Sequence, residues 1–277
     1  MLALLAALFI GGCAADAALP PPVAIVIDDL GYRPRLDYAA IAVPRLESFA
    51  ILPHTPLASA LAERLHAAGK EVLVHLPMEA RNHNELLGPG ALLAAMTRDE
   101  FVATARSALD AFPRARGLNN HMGSLLTGDA ERMAWLMEVV AERSELLFLD
   151  SRTTSHSAAR AAARDAAVPF LARDIFLDNE RDERYINARL DELVRHAELR
   201  GDAIGIGHPY PETLAVLARR LPGLGSVRIV SLAQLRRARE CRTRYAALTP
   251  GRSAPRPAQG RNSGDQAEPT EYPHADR

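Results

Sequence analysis

Apolar and polar positions along the chain fall into short blocks. Residues 23–27 are an unbroken apolar run that passes into Asp28 and Asp29 and then, after Leu30, into Gly31. Such a run reads as a strand buried on both faces, the kind that parallel sheets make beneath covering helices. The pattern recurs at 48–52, 71–74, 115–118, 146–149, 168–171, 203–207 and 227–230, with Pro169 weakening the fifth of these later runs. Between the runs the apolar spacing turns helical. Thr55 and Pro56 open a helix as N-cap and first-turn proline, Leu57, Leu61 and Leu65 form its face, and Gly69 closes it. Thr97 and Glu100 have capping-box spacing, which predicts a helix from about 98 to 111. Further helices are predicted near 129–143, 157–166, 183–200 with Gly201 as its stop, 212–221 and 232–239. Residues 80–90 have no period, carry His83 and two glycines, and are long enough for a substrate-side loop.

Strand and helix thus alternate some seven or eight times, which implies parallel strands joined by crossover helices. Polar residues gather where the apolar runs stop: Asp28 and Asp29, His54, His75, Asn120 and His121, Asp150, Asp174 and His208. In a barrel of parallel strands these ends share one rim, where such folds place their chemistry. A distorted or incomplete (β/α) barrel is favoured over an open doubly wound sheet, because no G-x-G-x-x-G turn follows the first strand.

Composition narrows this further. Lys and Arg number 33 against 34 Asp and Glu, aromatics are 5%, and no basic stripe is visible, so a nucleic-acid partner is excluded. The 277 residues suit one barrel domain over 23–240. Residues 1–17 read as an export signal: 2–10 are apolar and too short to span a bilayer as a helix, and small residues follow. The usual positive start is missing, since no Lys or Arg precedes Arg33. Ile10-Gly-Gly-Cys13 resembles a lipobox that would leave lipid and a membrane anchor on Cys13, and Ala15-Asp-Ala17 is a competing cleavage site. Either route predicts a periplasmic or membrane-anchored protein. Only Cys241 would then remain in the mature body, so no intrachain disulfide is expected there. Residues 18–22 read as a proline-rich spacer and 246–277 as a disordered tail. Oligomeric state is not legible.

Two adjacent carboxylates repel unless a proton or a cation sits between them. Two or three histidines with an aspartate, and no thiolates, fit an open zinc-type site, with a second aspartate as base and a distant histidine as acid. Two other readings stay open: Asp29 as a turn cap beside a solvated Asp28, and a metal-free glycosidase using Asp28 and Asp150.

Five segments then decide the resemblance: Ile27-Asp28-Asp29-Leu30-Gly31, His75-Leu-Pro-Met78, Asn119-Asn120-His121-Met-Gly-Ser124, Asp150-Ser-Arg-Thr153 and Gly205-Ile-Gly-His208-Pro209. In this order, over about 23–235, the chain resembles the divergent polysaccharide deacetylases, bacterial envelope proteins similar to the NodB-type carbohydrate esterases. The resemblance implies a distorted (β/α) barrel. It also implies Asp28 as general base, Asp29 and His121 as ligands of a divalent metal ion, zinc by preference, and His208 as general acid. The family's second histidine, four residues after His121, is Leu125 here. His75, at the end of a neighbouring strand, is assigned as the third ligand instead. Arg152 is expected to orient a carboxylate such as Asp28, and Asp150 to hold a histidine. Asn120 and His54 are expected near substrate, His54 with a plain turn role as its rival. The implied activity is removal of N- or O-acetyl groups from an envelope polysaccharide or peptidoglycan-type glycan. A degenerate fold that binds glycan without turnover is the alternative, on the strength of Leu125.

Overall fold

The computed structural model describes residues 19–248. The expected export signal, Cys13 and residues 249–277 of the expected tail lie outside that span. Strands β1 (Pro22–Leu30), β2 (Ser48–Ile51), β3 (Glu71–Met78), β4 (Gly117–Met122), β5 (Leu147–Asp150), β6 (Phe170–Ala172), β7 (Ile175–Phe176), β8 (Ala203–Gly207) and β9 (Arg228–Ile229) form one sheet. Helices α1 (Pro34–Ala42), α2 (Ala58–Ala67), α3 (Arg98–Asp110), α4 (Ala130–Ala141), α5 (Ala159–Asp165), α6 (Glu183–Arg200), α7 (Pro211–Arg220) and α8 (Leu232–Leu248) connect the strands or follow them.

All pairings are parallel and the order is β6-β5-β4-β3-β2-β1-β8-β7, with β9 beside the start of β1. The two outermost strands, β6 and β7, are consecutive in the chain yet are not neighbours in the sheet. A two-residue link crosses the seam between them. Arg173 donates its N–H to Asp150 O at 3.0 Å, and Asp174 donates to Ile204 O at 2.9 Å. The sheet therefore curls into an incomplete barrel, as the alternation of elements implied.

Strand alternation separates two cores. Ala24 and Val26, Leu73, Leu147 and Leu149, Leu171, and Ile204 and Ile206 fill the barrel interior. Val23, Ile25 and Ile27, Val72 and Val74, Leu118 and Phe148 face the helices. Continuing the inner register past the apolar layer reaches Asp28, His75, Asn119, Ser151 and His208. The interior is thus apolar until the last turn of each strand, where it becomes polar.

The N-terminal end of the barrel is shut by α8. Glu71, buried at the start of β3, accepts hydrogen bonds from Leu232 N at 2.8 Å, Ala233 N at 2.9 Å and Ser48 Oγ at 2.6 Å. A carboxylate on two free amides of a helix N-terminus is favourable for both. Glu71→Ala leaves three buried donors without that acceptor, and we expect a loss of about 3 kcal/mol in urea unfolding.

Several expected boundaries moved. The helix expected at Thr55 starts at Ala58, because the Thr55 hydroxyl donates to Leu52 O at 2.9 Å instead of capping. The Thr97 capping box is present, and α6 ends at Gly201 with φ 90°. Helix α1 and the short β7 carried too little periodicity to be read. Pro22 begins β1 and pairs with Arg228, so the expected spacer is partly built into the sheet. Helix α8 runs to Leu248, past the expected start of the tail. Cys241 is disulfide-bonded, correcting the expectation of a lone thiol, which rested on removal of the leader. Among the described residues no helix is long and apolar enough to cross a membrane.

Candidate metal and acid–base site

The site begins with a local irregularity. Neighbouring residues of a regular strand point to opposite faces, so Asp28 and Asp29 cannot both face the barrel interior. In β1 the pairing register with β2 shifts between Ile27 and Leu30, and Asp29 adopts φ 60°. This bulge turns the second carboxylate back over the barrel mouth, and Asp tolerates the left-handed conformation better than most residues. His54, Met122 and Arg152, also just past or at strand ends, have positive φ as well.

Three side chains then converge. His75 Nε2 lies 3.0 Å from Asp29 Oδ1, and His121 Nδ1 lies 2.9 Å from the same oxygen. The two ring nitrogens are 3.2 Å apart. These three residues are a group able to hold one ion among the described residues. Ligands about 2.1 Å from a tetrahedral zinc ion stand about 3.4 Å from each other, close to this triangle.

The outer nitrogens fix which atoms face inward. Asn119 donates Nδ2 to both oxygens of Asp28, at 2.9 and 3.0 Å. Its Oδ1 therefore faces His75 Nδ1, 2.9 Å away, and a carbonyl oxygen can only accept. His75 must carry its proton on Nδ1, which leaves the Nε2 lone pair aimed at the centre in the neutral ring. His121 Nε2 similarly meets Leu86 O at 3.4 Å, leaving Nδ1 to face inward. Two lone pairs and a carboxylate oxygen thus share one point. Only protons or a cation can fill it without repulsion.

Beside this triangle stand a buried imidazole, His208, and a second carboxylate, Asp28. His208, buried, reaches toward Asp29 with Nε2 at 3.7 Å from Oδ2. Its Nδ1 is 3.0 Å from Asp178 Oδ1, while Asp178 Oδ2 accepts from His208 N at 2.6 Å and from Thr213 Oγ1 at 2.7 Å. Burial alone would lower the His208 pKa, but the Asp178 and Asp29 charges outweigh it and push the imidazole up to about 9. Asp28 moves the other way from Asp29. Burial raises its pKa above the ordinary carboxylate value, and Asp29 adds to that, against the pull of His75, His208 and the Asn119 bond. Burial also opposes ionisation of Asp29, yet the charges of His121 and His208 and bonds from both His121 and His75 hold it well below the usual range. Two adjacent carboxylates with opposite shifts are the arrangement expected of one proton acceptor and one permanently charged group. For His75, burial is outweighed by Asp28 and Asp29, so its pKa rises. In the absence of a cation, the shared point draws a proton.

The remaining expected residues lie elsewhere. Asn120 and Asp150 have the register of Leu118 and Phe148, facing away from the interior. Asn120 bonds Met122 O, Thr153 Oγ1 and Ser151 N, stitching β4 to the loop after β5. Asp150 accepts the Arg152 N–H at 2.7 Å and no histidine, and Arg152 is exposed with no ion pair to Asp28 among the described residues. The inward-facing counterparts, Asn119 and Ser151, are one position away. Asn119 bonds Asp28, and the role expected of Asp150 belongs to Asp178. A buried-side arginine does stand near Asp28, but it is Arg173. Its guanidinium donates to Ser151 O and Arg152 O, and burial, with Arg152 nearby, lowers its pKa to about 10. His54 is exposed, and its ring packs on Gly90, bracing the loop at 80–90. That loop does reach the site, through Leu86 O on His121. Leu125 is partly exposed at 39%, and His75 completes the triangle in place of a histidine there.

Residues 25–236 match the family model described as divergent polysaccharide deacetylase. The uncharacterized protein YibQ of Escherichia coli (strain K12) is 39% identical over 216 residues, covering 76% of this chain and 67% of that protein. The crystal structure of uncharacterized protein ATU2773 from Agrobacterium tumefaciens C58 superposes with a TM-score of 0.73 at 25% identity, over 79% of this chain and 90% of that one. Peptidoglycan deacetylase PdaC from Bacillus subtilis shares the fold, with a TM-score of 0.52 at 13% identity over 83% and 95% of the two chains.

Proposed function

The chain belongs to the divergent polysaccharide deacetylase family, and from that premise we propose that it is a metal-dependent hydrolase removing acetyl groups from an envelope polysaccharide. The observation that carries the metal is the convergence of three electron-pair donors, Asp29 Oδ1, His75 Nε2 and His121 Nδ1, on one point at the barrel mouth. Their donor set, one carboxylate and two imidazoles, suits zinc with a position left open. A divalent ion held there would lower the pKa of water and polarise an acyl carbonyl.

The chain's own residues supply the proton transfers. Asp28, fixed by two hydrogen bonds from Asn119 and raised in pKa by burial, accepts a proton from the attacking water. His208, charged against Asp178, gives its Nε2 proton to the departing amine or alkoxide of the sugar. Export to the periplasm, with or without lipid on Cys13, remains part of this reading, and because the chain has two cysteines either outcome would release Cys241 from its disulfide. It is tested by mass spectrometry of the mature N-terminus, and retention of residues 1–12 would refute it.

The activity is tested by acetate release from acetylated chitooligomers or peptidoglycan, before and after chelation and after return of zinc. Release that vanishes on chelation and returns with metal is expected. Release indifferent to chelation would refute the metal requirement, and no acetate release would point to the non-catalytic binder or, where new reducing ends appear instead, to the metal-free glycosidase. The pH profile gives a further check. His208 is protonated below about 9, so kcat should fall on the alkaline side as that proton is lost. Asp178→Asn removes the charge that raises it, and the alkaline limb should move to lower pH by about one unit or more.

A further inference from the structure

Beyond the catalytic cluster, the mouth carries an unusual pairing of like charges. Tyr210, two residues after His208, has its ring centroid 5.3 Å from the His208 ring. The guanidinium of Arg181 lies 4.7 Å from the Tyr210 centroid and that of Arg33 lies 5.8 Å from it. Two cations on one ring repel each other, and ring–cation attraction is of order 1 kcal/mol each at exposed sites.

Neither guanidinium has a close, hydrogen-bonded carboxylate partner among the described residues, although Asp37 acts on Arg33 at longer range. Arg33 forms no side-chain ion pair among the described residues. Its backbone N–H, with that of Gly31, is held by buried Asp37 Oδ2 at 3.0 Å, which fixes the loop that carries both Asp29 and Arg33. Arg181 makes one ion pair among the described residues, with Glu212, at 3.6 Å between Nη2 and Oε2, beyond hydrogen-bond reach, and that oxygen takes no hydrogen bond. Tyr210 is itself half-buried, and burial raises its pKa, so it remains a neutral ring.

We infer that Arg33 and Arg181, across the face of Tyr210, form a subsite for an oxyanion on the sugar, carboxylate or phosphate, so that the substrate is an acidic glycan. This rests on the deacetylase reading above for its placement. His208 gives its proton to the sugar oxygen or nitrogen, so the sugar lies on the His208 side, and Tyr210 is the next ring along that side. Tyr210 gathers both guanidinium groups against its ring, and their forks supply paired donors for an oxyanion. An anion beside Tyr210 is drawn by both positive charges, which a neutral sugar is not.

The test is calorimetric binding to the full chain of a uronic-acid trisaccharide, the same trisaccharide with its carboxyls reduced, and a phosphorylated trisaccharide. At least one charged oligomer should bind about tenfold or more tightly than the neutral one, with Arg33→Gln and Arg181→Gln each erasing the preference while thermal midpoints stay unchanged. Equal binding of all three, or a preference that survives both substitutions, overturns the subsite. Acetate release separates this from the catalytic reading. Equal kcat/KM on acetylated neutral and charged oligomers overturns the subsite and leaves hydrolysis standing. Charge-selective binding lost in both variants, without acetate release from any oligomer, supports the subsite and overturns hydrolysis.

Discussion

Exchanging His75 for alanine is expected to lower kcat/KM by about a thousandfold or more and to leave the purified protein without stoichiometric divalent metal. The reason is geometric. His75 contributes the Nε2 lone pair of the triangle, and Asn119 locks it in the tautomer that exposes this lone pair. Removing the ring leaves Asp29 and His121 with one fewer donor and also deprives Asn119 Oδ1 of its partner. Metal content by mass spectrometry and acetate release are the paired measurements, with circular dichroism to establish that the variant is folded. A variant that keeps both metal and activity would remove His75 from the ligand set. His75→Gln, which retains a polar group but no imidazole, should lose metal as well, so that loss of packing and loss of a ligand are told apart.

Asp28→Asn is expected to produce a different failure. The carboxamide is nearly isosteric and neutral, and Asp28 stands 3.8 Å from His75 Nε2, at the edge of the triangle. Metal should therefore be retained while kcat falls about a hundredfold to ten-thousandfold, the range that general-base assistance supplies. One of the Asn119 hydrogen bonds becomes a donor–donor contact, so some loss of stability should accompany it. Parallel loss of metal would make Asp28 a ligand, and unchanged kcat would remove it as the base.

The architecture was legible because its signals are local. Apolar runs of strand length, the Thr97 capping box and the Gly201 stop each depend on residues within a few positions. The site was legible at the level of the rim, since a polar residue at the end of an apolar run faces the mouth in any parallel barrel. What escaped depends on partners far away in sequence. Strand β4 continues four residues past its expected end, and that length decides that Asn119, not Asn120, faces Asp28. The bulge that brings Asp28 and Asp29 together is a property of the β1–β2 register. Asp178 follows a two-residue strand and lies 30 positions from His208, so no spacing announced their pair. Arg173 and Arg33 likewise owe their positions to the seam and to a short helix whose pattern is weak.

The central claim is that Asp29, His75 and His121 bind one cation. Anomalous diffraction from zinc-loaded crystals tests it most directly. The expected result is a single strong peak about 2.0–2.2 Å from Asp29 Oδ1, His75 Nε2 and His121 Nδ1. A zinc peak elsewhere, or none at this triangle at full loading, would contradict it.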